Sequence, residues 1–206
     1  MFSNTNFLSF ILFAKDPVTE GETDPIMLDL DPYMIEALRG SNKKGRFGTE
    51  GSINHLMQEQ EFQKLINKHD LHLFNGPIVG AVGDSSAKIW IRSSKLATFY
   101  VKVDGFQSEL ITTTAASDCT GVAILNGLKS FTEYKYSIIL DGKEITKDYF
   151  HFKTAPKQGE AVKFNISFGS GARYQPQNEG IWRTLAQTRP IAYLGLGDNV
   201  YIDATR

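Results

Sequence analysis

Between Asn75 and Pro156, apolar and polar residues alternate in short runs separated by turn residues, the period-two signature of half-buried strands. Seven segments fit: residues 78–82, 87–92, 98–103, 109–112, 121–125, 133–140 and 149–154. They are rich in β-branched and aromatic residues. In the stretch AKIWIR, Ile89 and Ile91 fall on one face and Trp90 on the other, and the pairs Asp104–Gly105 and Asp141–Gly142 mark hairpin turns. Strands at this spacing predict a β-sandwich of about eighty residues.

On either side of this region the period changes. Upstream, Asp31 as N-cap, Pro32 in the first turn, the stripe Met34, Ile35, Leu38 and a terminating Gly40 predict a short helix. Residues 53–68 predict a second, with Leu56, Met57, Phe62, Leu65 and Ile66 near helical spacing. The acidic, polar stretch 15–30 reads as a lead-in, and 41–52, with Lys43, Lys44 and Arg46 among glycines, as a solvated loop rather than a phosphate contact. The apolar run 7–14, FLSFILFA, is too short to span a bilayer. With no Lys or Arg before it and only Ala14 at a plausible cleavage position, it fits a buried or irregular N-terminal segment better than the remnant of an export signal.

Downstream, residues 163–168 alternate toward a strand, 179–187 carry a helical apolar face and 191–196 form a second apolar run. Asn178 suits the N-cap of that helix, and Trp182 and Leu185 its packing face. Strand, helix, strand with the strands parallel is the unit of a layered α/β sheet. Two strands and one helix cannot enclose a core, so this unit is expected to be the front end of a larger domain. The resulting division is 1–74, an N-terminal segment with two helices; 75–156, the sandwich; a linker over 156–160; and 161–206, the incomplete α/β domain.

Composition narrows the functional classes. With 206 residues, 41% apolar content and a net charge of −1, the chain is an ordinary globular protein without the electrostatic footprint of a nucleic-acid or anionic-membrane binder. Cys119 is the only cysteine, which excludes an intrachain disulfide. His69 and His72 have no accompanying carboxylate or cysteine cluster, so a surface role is expected for them rather than metal ligation. Nothing in the residues indicates an oligomeric state.

The candidate chemistry lies at the end of the chain. In an open α/β sheet, functional groups collect beyond the carboxyl ends of the strands, here the loops 169–177 and 197–203, which should face each other if the strands are parallel neighbours. Gly195 and Gly197 remove side chains where a ligand could approach the backbone, and Asp198 follows. A carboxylate with two oxygens can bridge two cations, as a two-metal phosphoryl-transfer site requires. Tyr201, as a phenolate, suits a hard, highly charged ion such as ferric iron, because a bound cation depresses a hydroxyl pKa. Taken alone, these two residues are read more simply as part of a polar turn at Asp198 and Asn199. On the first loop, Arg173 has the planar fork that binds phosphate, although a surface Arg beside a helix start is the commoner case. Gly169, Ser170 and Gly171 ahead of a helix hint at backbone anion binding, without the lysine of a P-loop or the third glycine of a dinucleotide fingerprint. The sequon Asn165, Ile166, Ser167 falls in a core strand, where glycosylation is not expected.

Two resemblances extend this picture. The run GLKSFTEYKYSIILDG, 127–142, resembles the fibronectin type III pattern in which a leucine precedes the corner tyrosine by six positions, here Leu128 and Tyr134, and FKTAP, 152–156, is similar to the segment closing such a domain. The role implied for Tyr134 is structural: a buried hydroxyl bonded to backbone that pins a turn between the sheets. More broadly, GPIVGAVGDSSAKIWIR, FGSGARY, NEGIW and LGLGDNVYID, in that order and spacing, resemble the N-terminal part of PhoD-like alkaline phosphatases. That resemblance implies a dinuclear metallophosphatase acting on phosphate esters, with iron and calcium as the metal pair, Asp198 as the bridging aspartate and Tyr201 as the ferric-iron ligand. It also implies a periplasmic or extracellular location. Gly171 stands where the family has a cysteine ligand, which puts the thiolate in doubt and shifts the expected preference toward harder ions. The remaining ligands are expected from later motifs; His55, His69, His72 and His151 match none of them, so the chain by itself is expected to be inactive. The alternatives are a non-catalytic β-sandwich binding or adhesion module, and a degenerate phosphatase that has lost metal.

Overall fold

The computed structural model describes residues 29–30, 32–34, 54–171 and 180–198. Residues 29–30 and 32–34 are helical, a 3-10 turn covers Asn54–Gln58, and helix α1 spans Gln60–Lys68. Two expectations change here. Helical residues are already present at 29–30, ahead of the start expected at Asp31, and Asp31, Ile35, Leu38 and Gly40 lie outside the described residues. The second is not one helix: Glu59 is extended at φ −76, ψ 131 and breaks it. In a straight helix Met57 and Phe62 would point roughly 140° apart at 100° per residue. The break rotates the 3-10 turn so that Leu56, Met57, Phe62 and Ile66 are all buried in one cluster. Gln63 fastens it, its amide donating to the carbonyls of Met57 at 2.8 Å and Ser94 at 3.1 Å.

That cluster also takes in Leu30, Met34, Leu71, Phe74 and Cys119, so it crosses residue 75 and joins the helical segment to the sandwich. Phe62 meets Phe74 edge to face at 5.5 Å, and the Arg92 guanidinium sits 4.8 Å over the Phe74 ring while pairing with Asp118 at 2.8 Å. Buried aromatic contacts of this kind add to plain area burial.

The sandwich follows: β1 (Leu73–Gly80), β2 (Ser86–Ser93), β3 (Thr98–Val103), β4 (Phe106–Gln107), β5 (Ile111–Thr112), β6 (Thr120–Asn126), β7 (Glu133–Leu140), β8 (Lys143–Ile145) and β9 (His151–Lys153). One antiparallel sheet runs β1-β2-β6; the other runs β4-β3-β7-β8, with β5 added on β3 and β9 on β7. The two strands not foreseen, β4 and β8, are the short returns of the Asp104–Gly105 and Asp141–Gly142 hairpins, closed by the pairs Val103↔Phe106 and Leu140↔Lys143. Both residues of the second turn have positive φ, 48° and 81°, as a two-residue hairpin turn requires. Between the sheets lie Ile89, Ile91, Phe99, Val101, Ala123, Leu125 and Ile138, all fully buried. The outer face of the first sheet is different. Ile78, Trp90 and Val122 stand side by side across its three strands, with Ile124 one row on, and Ile78, Val122 and Ile124 are exposed.

After the sandwich, β10 (Ile166–Gly169) and β11 (Ala192–Gly195) pair in parallel, linked through helix α2 (Gly180–Gln187). The helix lies on the face carrying Tyr193, whose ring meets Trp182 at 5.4 Å in a T-shaped contact. The opposite face holds Ile166, Phe168 and Leu194, which are 50%, 68% and 51% exposed. No helix among the described residues is long and apolar enough to cross a membrane.

Candidate metal centre

Parallel pairing puts the carboxyl ends of β10 and β11 side by side, with Phe168 opposite Leu194 and Gly169 opposite Gly195. The ladder continues past the strands: the Leu196 amide donates to the Gly169 carbonyl at 2.8 Å, and the Gly171 amide to the Gly197 carbonyl at 3.4 Å. The two loops therefore leave the sheet together, as the strand order required. Gly169 leaves room for the Tyr193 hydroxyl, which would stand 2.9 Å from a Cβ there and would have to shift to admit one.

Asp198 comes directly after this junction. It is exposed, with φ 47°, and its carboxylate has neither a hydrogen-bond nor an ion-pair partner among the described residues. Gly171 lies across the junction at φ 73°, with open space where a Cβ would project. A cysteine at that position would have room but would adopt a left-handed backbone that favours glycine. Tyr201, Arg173, Tyr174, Asn178 and Asn199 lie outside the described residues. The Asn165 side chain of the sequon is engaged, its amide donating to the Thr188 carbonyl at 2.7 Å.

All four histidines lie on the helical segment and the sandwich, each beside a carboxylate. His55 pairs with Glu59 at 3.4 Å, His69 with Asp29 at 2.6 Å, His72 with Asp70 at 2.9 Å and His151 with Glu133 at 3.3 Å. The surface role expected for His69 is not what the fold gives it, since its side chain is 8% exposed beneath the first helical stretch. Hydrogen bonds from Lys68 and His69 hold the Asp29 carboxyl below its usual range, and Lys143 does the same for Asp70. Burial lowers the His151 pKa. The Glu59 carboxylate, hydrogen-bonded to the Tyr33 hydroxyl, pushes that phenol up to about 12. Among the described residues no three His, Cys, Asp or Glu side chains converge to hold a metal.

Comparison with known proteins places the fold. Residues 70–156 match a family described as a domain of unknown function, DUF7800. No curated protein matches the sequence. Among solved structures, PhoD superposes with a TM-score of 0.52 at 16% identity, over 60% of this chain and 27% of that one. Short and long forms of the sensor domain of the anti-sigma factor RsgI4 from Pseudobacteroides cellulosolvens match with TM-scores of 0.28 and 0.29. Their identities are 16% and 12%, over 38% and 42% of this chain and 89% and 92% of theirs, and at such scores no shared fold is argued. The chain spans about a quarter of the PhoD chain it matches. It is a mostly antiparallel β-sandwich protein whose fold, over about three-fifths of its length, is PhoD-like.

Proposed function

We propose that this chain is the N-terminal portion of a metal-dependent phosphatase that hydrolyses phosphate mono- or diesters. In this reading the sandwich is a fibronectin type III-like appendage over 75–156, and residues 161–206 open the catalytic domain. The observation that carries it is the junction at the carboxyl ends of β10 and β11. There two parallel strands deliver Gly171 and Gly197 into hydrogen-bonding contact, and the next residue is an exposed carboxylate, Asp198, with no partner among the described residues. Two further observations support it. The Tyr134 hydroxyl accepts the Lys129 amide at 2.7 Å, the bond expected of a corner tyrosine, and the bare apolar face of Ile166, Phe168 and Leu194 is that of a parallel sheet meant to be covered on both sides.

Asp198 would hold the metal pair, with iron and calcium the combination the family resemblance suggests, and Tyr201 would complete the iron side. When bound, two metal ions supply a hydroxide nucleophile at moderate pH and neutralise the phosphoryl oxygens. The fit is partial, because a catalytic ion usually takes at least three protein ligands. Gly171 has no side chain to donate, so water or another protein oxygen would have to fill that position, and harder ions would be favoured. Arg173, on the facing loop, would bind the substrate phosphate through its guanidinium fork.

The test is metal analysis and p-nitrophenyl phosphate turnover on the full-length protein beside an Asp198→Asn variant. Bound metal and turnover in the parent are expected, with turnover reduced by about a hundredfold or more in the variant if the bridging carboxylate is lost. A parent with neither metal nor turnover would leave the degenerate reading, which Gly171 motivates. A binding role for the sandwich, favoured by the row Ile78, Trp90 and Val122, whose two ends are exposed, would then be the function that remains.

A further inference from the structure

The stretch between the sandwich and the strand–helix–strand unit reads in sequence as a linker over 156–160, yet its hydrogen bonds tie it to the sandwich. Thr154 is fully buried; its hydroxyl donates to the Lys129 carbonyl at 2.6 Å and accepts the Thr132 amide at 2.8 Å. Ala155 is held from two directions, its amide donating to the Gly83 carbonyl at 2.9 Å and its carbonyl accepting the Phe131 amide at 3.1 Å. Lys153 lies 3.4 Å over the Phe131 ring. Past Pro156 the attachment continues through one carboxylate. Glu160 Oε2 accepts the Lys157 amide at 2.9 Å and the Ser130 hydroxyl at 3.2 Å, while the Glu160 amide donates to the Lys157 carbonyl at 3.0 Å.

On the far side, Asn165 already belongs to the next unit, its carbonyl accepting the Ile191 amide at 2.9 Å and its side chain donating to Thr188. Between Glu160 and Asn165 stand Ala161, Val162, Lys163 and Phe164, which form no hydrogen bond among the described residues. We propose that Glu160 is a staple that fixes the linker to the sandwich and reduces the joint between the two units to a four-residue pivot, residues 161–164. Four residues reach about 14 Å when fully extended. The sandwich is therefore a short-tethered body that enters the α/β unit at the amino end of β10, the end opposite Gly171 and Asp198. This inference stands whether or not the protein is a phosphatase.

Backbone 15N relaxation on the whole chain tests it. Order parameters near 0.85 are expected through Glu160, falling below about 0.6 only over 161–164 and recovering at β10. In Glu160→Ala the low segment should extend back to Lys157. Ser130→Ala removes only the link to the sandwich, and should move the boundary in the same direction by less. Unchanged amide shifts for β7 and β9 would show that the sandwich itself is intact in both variants. A parent already mobile from Lys157, or a Glu160→Ala profile identical to the parent, overturns the staple.

Discussion

The sandwich and the β10–α2–β11 unit present opposite solutions to the same problem. Both are built from strands with apolar residues on one face at least. In the sandwich those residues meet a second sheet, and Phe99, Val101 and Ile138 have no exposed surface. In the smaller unit, among the described residues, the Tyr193 face meets a partner in Trp182, while Phe168 and Leu194 are exposed. A well-formed parallel pair is therefore no evidence of a completed core, and the two regions should respond differently to the same mutation.

The sharpest way to break this comparison is truncation in each. Phe99→Ala removes a fully buried ring and should cost about 3–5 kcal/mol, read as a lower urea midpoint. Leu194→Ala, at a half-exposed position, should shift the same midpoint by less than about 0.5 kcal/mol. Comparable losses would mean that the open face is covered in solution. An effect between these two is expected at the corner: Tyr134→Phe keeps the ring stacked on Phe152 but leaves the Lys129 amide without its acceptor. That should cost about 1–2 kcal/mol in chemical denaturation.

The smallest effect concerns pH. Burial lowers the His151 pKa in the fold, so the folded state resists protonation more than the unfolded chain does. The stabilisation is fully present above the unfolded histidine value of about 6.5 and is lost as pH falls below it toward the folded value. Melting temperature should decline over that interval, and His151→Gln should flatten the decline. The depressed carboxyls of Asp29 and Asp70 act with the same sign at lower pH, since each is more acidic in the fold than in the open chain.

How far these regions were legible from sequence follows from the same physics. Strand β3 lies where alternation and β-branched content place it, since one face is buried and the other is not, and β7 follows the same alternation up to Ser137, which is buried on the other face. The start of β1 was hidden, because Leu73, Phe74, Asn75 and Gly76 are all buried and two register shifts interrupt the period. Residues 53–68 concealed their break at Glu59, since the docking of Leu56 and Met57 beside Phe62 is a tertiary event that local spacing does not encode. For the candidate site, the parallel strands and converging loops were legible from two apolar runs flanking a helix. The partners of Asp29, Asp70 and Glu160 were not, as each reaches across tens of residues or into a separate element.

Cys119 has a use beyond packing. It is the chain's single thiol, buried in the cluster that fastens the helical segment to β1. Burial also raises its pKa, which suppresses the reactive thiolate while the cluster is closed. An alkylating reagent that captures it must wait for the cluster around it to open, so labelling kinetics at this sulfur report that opening without a single engineered probe.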